Sequence, residues 1–542
     1  MSWNFGPDVV IRRERHFDDR VVPCFAARPS GPYEAFERAV AARPAAEALV
    51  AGDVRWTYAE LNEHAGRVAG GMARHGVGPG DRVAMLLGNR VEFVTTLLAT
   101  LRLGAIAVPM GTRLQAPEIA YIVQHSGARA IVHEAELASR LPSTADAPQL
   151  QRRVSTGGPV PGSEPYEHLE HGRAPEVHRA PEEAVAVILY TSGTTGRPKG
   201  ATLTQLNLVH SMLNYVHSMK VGPTDRTLMA VPASHVTGLV ANVMLAWAAQ
   251  CALVVMAEFK ARAFLELAAR ERMTHTIIVP AMYNLCLLQS DFDAFDLSAW
   301  RVGGYGGAPM AEATIATLAA KLPRLGLHNC YGSTETTSPA TMLPARYAAE
   351  RPDSVGLALP GADIVVMDDQ GREVPPGTAG ELWIRGPMVV PGYWANPEAT
   401  AKGFVAGYWL SGDIGSIDER GFVRVFDRAK DMLNRGGFKV YSVEVENALL
   451  EHPAVVESAI VGKPDPVLGE RVHAFVCVKP GAAATADELR RFCADRLADY
   501  KVPETYTLSN APLPRNANGK LLKRELRRQF EAPAETGPPP AH

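Results

Sequence analysis

The sequence predicts an α/β protein: a large N-terminal domain built on parallel sheets and carrying a small β-rich subdomain, followed by a smaller α+β domain. Three observations lead there. Residues 57–132 alternate between helical and strand patterns, as chains do when helices cover a parallel sheet. From about Ser354 the texture changes to short β-like runs separated by turn signals. After Asp427 a compact pattern of strands and helices fills about 110 residues, an ordinary domain size.

The elements follow in order. Thr57 stands as the N-cap of a helix over residues 58–75, with Glu60 three positions on as its capping-box partner. Residues 81–87 read as a strand, 91–103 as a helix, and 105–109 and 128–132 as further strands. Residues 141–183 are rich in Pro, Gly, Ser and His and read as a long irregular connection. His168, His171 and His178 fall there with loosely metal-like spacing; without a helix or a cysteine beside them they read as solvated loop histidines. The apolar run 184–189 reads as a buried strand, and 226–231 and 274–279 continue the strand pattern. Residues 236–257 contain no charge, but Asn242, Gln250 and Cys251 interrupt them, so they read as a buried helix and a buried strand rather than a membrane span. Runs 362–367 and 380–385 belong to the β-rich part. A helix over 442–451, strands over 455–462 and 471–478, and a helix over 486–497 make the last domain. The tail from Glu531, ending in Gly-Pro-Pro-Pro-Ala-His, reads as disordered.

Composition narrows the function. The 542 residues are 46% hydrophobic and 21% charged, with a net charge of -3, which gives no electrostatic case for nucleic acid or an anionic membrane as the main partner. Six scattered cysteines form no Cys-x-x-Cys pair, so neither a zinc site nor a disulfide framework is indicated, and reduced thiols fit a cytoplasmic location. The first residues lack the basic-then-apolar order of a signal peptide.

The densest chemistry lies in Tyr190-Thr-Ser-Gly-Thr-Thr-Gly-Arg-Pro-Lys-Gly200. Glycines let the backbone approach a phosphate closely, hydroxyls and amides donate to it, and Arg197 and Lys199 offset its charge. No Gly-Lys-Ser/Thr ending occurs, so this is not a Walker A loop. Five further motifs follow: Pro232-Ala-Ser-His-Val-Thr-Gly238, Tyr331-Gly-Ser-Thr-Glu335, Tyr408-Trp-Leu-Ser-Gly-Asp413, Phe426-Asp-Arg-Ala-Lys-Asp-Met-Leu-Asn-Arg-Gly-Gly-Phe-Lys439 and Pro514-Arg-Asn-Ala-Asn-Gly-Lys520. Each alone is weak; all six in this order are specific.

Together they resemble the adenylate-forming superfamily of acyl- and aryl-CoA synthetases, luciferases and peptide-synthetase adenylation domains, from roughly Phe36 to Arg528, with a texture similar to bacterial fatty-acyl-CoA synthetases. The resemblance implies an N-terminal domain over residues 1–426, a hinge at 427–430 that includes Lys430, and a mobile C-terminal domain over 431–530, leaving 531–542 as tail. It implies ATP, Mg²⁺ and coenzyme A as cofactor and substrates. Thr191, Ser192, Gly193, Thr194, Thr195 and Lys199 match the phosphate-handling loop, and Glu335 the metal-binding glutamate. Gly307, Ala308 and Pro309 match the backbone beside the nucleotide, Tyr331 the aromatic against adenine, and Thr334 an α-phosphate donor. Asp413 and Arg428 match the ribose-binding pair. Lys520 matches the lysine of the first half-reaction, and His235 and Lys439 complete the catalytic set, Lys439 on a loop that swings in for the second. Ser411 departs from the usual Thr but keeps the hydroxyl.

The acid pocket implied by the same resemblance is lined by His235, Thr237, Ala241, Tyr305, Gly306, Gly307, Gly332, Ser338 and Pro339, with no charged residue among them. That lining favours an apolar monocarboxylic acid, a fatty acid first and an aryl acid second, with a carrier protein in place of coenzyme A as an open alternative. The expected partner is therefore a small carboxylic acid, without nucleic acid or stable membrane insertion; a homodimer is left open.

Overall fold

The structure is a computed structural model and describes residues 3, 5, 9–191, 197–479, 481, 482, 484–515 and 521–530. Ser192, Gly193, Thr194, Thr195, Lys520 and the tail from Glu531 lie outside the described residues. Two compact units divide the chain. The larger holds Met1–Thr378, Leu382–Ser411 and Ser416–Arg424, and the smaller holds Ala379–Glu381, Gly412–Gly415 and Val425–His542.

Two large sheets build the larger unit, beside a small antiparallel hairpin of Ile11–His16 and Arg20–Phe25. In the first, the strands Ile106–Met110, Arg82–Leu86, Ala130–Glu134, Arg152–Thr156 and Glu164–Pro165 lie side by side in that order, all parallel. Val185–Thr191 joins its edge in parallel and turns back antiparallel as Lys199–Thr204. In the second, Glu47–Ala51, Ala252–Val255, Arg226–Met229, His275–Ile278, Val302–Gly306 and Gly326–Ser333 form a parallel run. Ser338–Met342 and Gly356–Ala358 extend it antiparallel. Interior strands such as Ile106–Met110 and Ala252–Val255 are unbroken apolar runs, buried throughout because both faces of the sheet are covered. The β-rich strands Asp363–Met367, Gly380–Arg385 and Tyr408–Ile417 follow.

Local chemistry sets the helix ends. Thr57 caps Tyr58–Arg74: its hydroxyl accepts from the Glu60 N–H at 3.2 Å while the Glu60 carboxylate accepts from the Thr57 N–H at 2.8 Å. Gly70 and Gly71 in that helix are forced by close approach, since a Cβ would lie 2.2 Å from the Arg173 carbonyl oxygen and 2.5 Å from Leu169. The segment that presses there corrects the reading of residues 141–183 as irregular. It holds two strands and a short 3₁₀ turn, Tyr166–His171, whose Tyr166 is fully buried with its hydroxyl 2.7 Å from Thr95 Oγ1. Two buried anchors, Tyr166 and Leu169, outweigh the polar composition around them.

The charge-free stretch 236–257 is a buried helix and strand. Its helix runs π-helical over Leu239–Met244 and continues as Leu245–Ala249 before the strand Ala252–Val255. Among the described residues no helix is long and apolar enough to cross a membrane. All six cysteines are buried and free.

The smaller unit packs Ser442–Leu450 and Ala486–Ala494 on a sheet ordered Phe438–Val440, Leu433–Arg435, Gly469–Val478, Val455–Asp465, with Thr505–Ser509 parallel to Gly469–Val478. Its core is Leu433, Val440, Val445, Leu449, Ile460 and Val472 with their neighbours.

Near the N-terminus, Glu14, His16 and Cys24 bring one potential ligand atom each within 4.8 Å of one another. Arg28 already occupies that carboxylate. Its guanidinium donates to both Glu14 oxygens, at 3.0 and 2.6 Å, and to Glu182, so the cluster is an ion-pair network. Hydrogen bonds from Arg28 hold the Glu14 carboxyl well below the usual carboxylate range. A depressed carboxylate contributes stability above its unfolded value of 4.5 and loses it as pH falls. Arg28→Met is therefore expected to cost about 2–4 kcal/mol at pH 7, because Glu14 is left charged and poorly compensated. The deficit in melting temperature should narrow below about pH 4.5, where Glu14 protonates in the variant. A deficit that stays constant from pH 7 to 3.5 would assign the loss to packing alone.

Candidate active site

Two strand hairpins and one connecting segment build the site in the larger unit. In the first hairpin Thr191 ends the strand Val185–Thr191 and stands opposite Lys199. Two cations here rest on tyrosine faces. The Arg197 guanidinium lies 5.6 Å from the Tyr121 ring centroid and the Lys199 ammonium 5.1 Å from the Tyr393 ring centroid. Tyr190 sits one residue earlier, its hydroxyl 2.8 Å from His125 Nδ1.

The second hairpin joins Gly326–Ser333 to Ser338–Met342 through a turn that carries Thr334 and Glu335, both buried. The turn is held from several sides. The Ser333 N–H donates to Thr336 Oγ1 at 2.8 Å, Thr336 Oγ1 donates to the Ser338 carbonyl at 2.7 Å, and the Ser338 and Tyr215 hydroxyls meet at 2.6 Å. Thr337 and Ser338 adopt φ of 52° and 95°, backbone that costs roughly 1–3 kcal/mol per residue and persists only where its surroundings over-determine it. That strain gives the turn one shape.

Glu335 is gripped by side chain and main chain together. Ser333 Oγ donates to its Oε2 at 2.6 Å, the Tyr393 hydroxyl donates to its Oε1 at 2.9 Å, and its carbonyl accepts from the Val390 N–H at 2.9 Å. Burial, then the neighbouring carboxylate, keeps the Tyr393 phenol well above its ordinary range, so it remains a donor. Each carboxylate oxygen has one donor and retains lone-pair capacity, so this hard, buried oxygen site fits a magnesium ion shared with phosphates.

The other expected residues take these places. Gly307, Ala308 and Pro309 are exposed and follow the strand Val302–Gly306. Tyr331 is half-buried beside Ala340, Ile384 and Met388. His235 is exposed at the start of Val236–Gly238, its Nδ1 accepting from the Thr237 N–H at 3.4 Å. Of the pocket residues, Ala241, Tyr305, Ser338 and Pro339 are buried.

The smaller unit carries the rest. Arg428 Nε lies 3.1 Å from the buried Asp413 Oδ1, and the neighbouring Gly412 N–H donates to Glu381 Oε1 at 2.9 Å. Lys439 is exposed on Phe438–Val440, behind the Gly436-Gly437 turn. Phe438 stacks on Tyr500 at 4.7 Å between centroids. Lys523, three residues beyond Lys520, is an anchor of this unit: it pairs with Glu446 at 2.7 Å, and burial raises that glutamate above its ordinary range. The structure thus brings Thr191, Lys199, Thr334 and Glu335 onto adjoining hairpins of one unit, and Asp413 and Arg428 into contact in the other. Sequence reading gave Ser333 no role although it lies within the Tyr331–Glu335 motif, and it missed Tyr393, whose signal was the Pro-Gly-Tyr-Trp run at 391–394.

A family profile described as AMP-binding enzyme matches residues 36–394, and one described as AMP-binding enzyme C-terminal domain matches residues 444–520. This chain belongs to the AMP-binding, adenylate-forming enzyme family. It is 35% identical over 489 residues to a feruloyl-CoA synthase of an Amycolatopsis species, covering 90% of this chain and 96% of the relative. It is 34% identical over 486 residues to the long-chain-fatty-acid–CoA ligase FadD13 of Mycobacterium tuberculosis, covering 89% and 94%. The crystal structure of the anthranilate CoA ligase AuaEII in complex with anthranoyl-AMP superposes with a TM-score of 0.86 at 26% identity, covering 92% of this chain and 97% of that one. As a family member the chain is an adenylate-forming acid–thiol ligase that binds ATP or AMP, and it shares the mixed α/β fold, with a large N-terminal and a smaller C-terminal domain.

Proposed function

We propose that this protein activates an apolar monocarboxylic acid with ATP and transfers it to coenzyme A, with a fatty acid as the favoured substrate. The observation that supports the ATP half of the reading is that Tyr393 contacts both Lys199 and Glu335: the ammonium lies 5.1 Å from its ring centroid and the carboxylate accepts from its hydroxyl at 2.9 Å.

A carboxylate is a poor acyl donor because its leaving group would be oxide. In the first step a carboxylate oxygen attacks the α-phosphorus and pyrophosphate leaves; in the second the coenzyme A sulfur attacks the acyl carbon and AMP leaves. Thr191 and Lys199 would bind the terminal phosphates, Thr334 and Lys520 the α-phosphate, and Asp413 with Arg428 the ribose hydroxyls. Magnesium held at Glu335 would supply further positive charge against the phosphates. Preorganised donors and cations of this kind are the main source of rate in phosphoryl transfer. Lys430 serves as the hinge and Lys439 belongs to the second step.

The acid is argued from the lining. Ala241, Tyr305, Ser338 and Pro339 bring no charge. Arg301, the nearest cation in sequence, is paired with Asp225. A second carboxylate or an α-ammonium group would enter without a partner, at a cost of several kcal/mol. The aryl reading is supported by one observation of its own: Tyr305 is fully buried and its hydroxyl has no hydrogen-bond partner among the described residues, which suits a ring bearing a polar substituent.

The test is AMP formation with coenzyme A present, comparing octanoate, benzoate, ferulate, malonate and phenylalanine by kcat/KM. Octanoate or an aryl acid should exceed malonate and phenylalanine by at least ~10²-fold. Malonate or phenylalanine leading would overturn the pocket reading and leave the adenylation chemistry standing. No pyrophosphate release with any acid would overturn the whole.

A further inference from the structure

We infer that Tyr393 is a positioning residue that couples the metal-binding carboxylate to the phosphate-binding cation, setting the lone pairs Glu335 presents to magnesium and holding Lys199 beside it until the nucleotide binds. The inference rests on the ATP-dependent reading above and adds to it a residue that no motif assigned.

The backbone of Tyr393 is tied to the strand that begins with Lys199. Tyr393 bridges Ala201, the Trp394 N–H donates to the Gly200 carbonyl at 2.7 Å, and the Thr202 N–H donates to the Gly392 carbonyl at 3.1 Å. The Tyr393 N–H donates to Thr400 Oγ1 at 3.0 Å, and its ring lies edge-on to Phe404 at 5.6 Å between centroids. Main chain and ring plane are thus fixed before the hydroxyl is considered. The same segment holds the other partner, through the 2.9 Å bond from the Val390 N–H to the Glu335 carbonyl and the 2.9 Å bond from the Tyr393 hydroxyl to Oε1.

Two consequences follow from the chemistry. A carboxylate free to rotate offers a metal ion several geometries; one with a donor on each oxygen offers fewer, and outer donors of this type commonly tune metal affinity by 10–100-fold. The Tyr393 ring also gives the Lys199 ammonium a place to rest, 5.1 Å from the centroid, on the same side chain whose hydroxyl holds Glu335. A cation–π contact is weaker than an ammonium–phosphate bond, so an arriving nucleotide can draw the lysine away.

The experiment measures equilibrium binding of ATP to the full chain by calorimetry without acid, once with magnesium and once with EDTA. Tyr393→Phe keeps the ring and removes the hydroxyl. Its affinity for ATP with magnesium should fall about 10-fold or more, and its affinity in EDTA should stay within about 2-fold of wild type. Ser333→Ala, which removes the other donor, should shift the magnesium arm in the same direction. In a Glu335→Gln background Tyr393→Phe should add nothing, because the coupling runs through that carboxylate. Equal losses with and without magnesium, no loss at all, or full additivity with Glu335→Gln would each overturn the assignment. Wild type failing to bind ATP in both arms would instead remove the reading on which it rests. Melting temperatures of the single variants within a few degrees of wild type show that the fold is kept.

Discussion

Lys520→Ala should lose at least ~10² in the rate of pyrophosphate release and keep most of its ability to form thioester from pre-made acyl-adenylate. The reason is a charge difference between the two steps. In the first, negative charge spreads over the oxygens around the α-phosphorus as the acid attacks and pyrophosphate leaves, and one well-placed cation there is worth roughly 3–4 kcal/mol. In the second, the reacting centre is the acyl carbon and AMP departs already formed. The described residues on either side of positions 516–520 are firmly tied: Arg515 pairs with Leu521, the Leu522 N–H donates to the Pro514 carbonyl at 2.8 Å, and the Leu513 N–H donates to Glu457 at 2.6 Å. Lys523 then anchors the chain on Glu446. The complementary change, Lys439→Glu, should spare pyrophosphate exchange and impair thioester formation. Equal losses in both half-reactions for either variant would sink the division of labour between the two lysines.

Much of this site was legible because its parts are local. Thr57 and Glu60 stand three residues apart, so a capping box can be read directly, and the helix begins where it should. The strand before the glycine-rich loop was visible as an apolar run; its antiparallel return from Lys199 was not read. Asp413 and Arg428 were recovered from motifs fifteen positions apart and do pair. What was hidden depends on distance or on compensation. Tyr393 is 58 residues from Glu335, and nothing in its own surroundings predicts the hydrogen bond. Tyr166 sits in a stretch whose composition argues for a loop, and its burial comes from packing against a helix formed a hundred residues earlier. The left-handed Thr337 and Ser338 run against local preference; only the surrounding hydroxyl network holds them there. A sequence rule that scores each residue by its neighbours must fail at such positions, which is where a strained catalytic turn is expected.

Gly332→Ala should abolish magnesium–ATP binding, with a loss of ~10²-fold or more, although the residue is exposed and touches no expected ligand group through a side chain. Its Cα faces the opposite arm of the hairpin. A Cβ there would stand 1.7 Å from the Ser338 carbonyl oxygen and 2.9 Å from Thr336 Oγ1, distances no side-chain rotation can relieve because the first contact is backbone. The pairing of Gly332 with Pro339 and of Ser333 with Ser338 must open, and with it the bonds that give the turn its single shape. Ser333, Thr334 and Glu335 move with that turn, so the Glu335 carboxylate loses its Ser333 donor and its alignment with Tyr393 together. Outer donors of this kind tune metal affinity by about 10–100-fold, and this change disturbs two of them together. Gly222→Ala is the control, outside the expected site. A Cβ at Gly222 would meet nothing within 4 Å and its backbone is not left-handed, so binding should stay within about 2-fold of wild type. Calorimetry of both variants with ATP and magnesium, alongside their melting temperatures, separates the cases. Gly332→Ala binding as well as Gly222→Ala would mean that the hairpin can part at little cost and that the turn is not the rigid support the site requires.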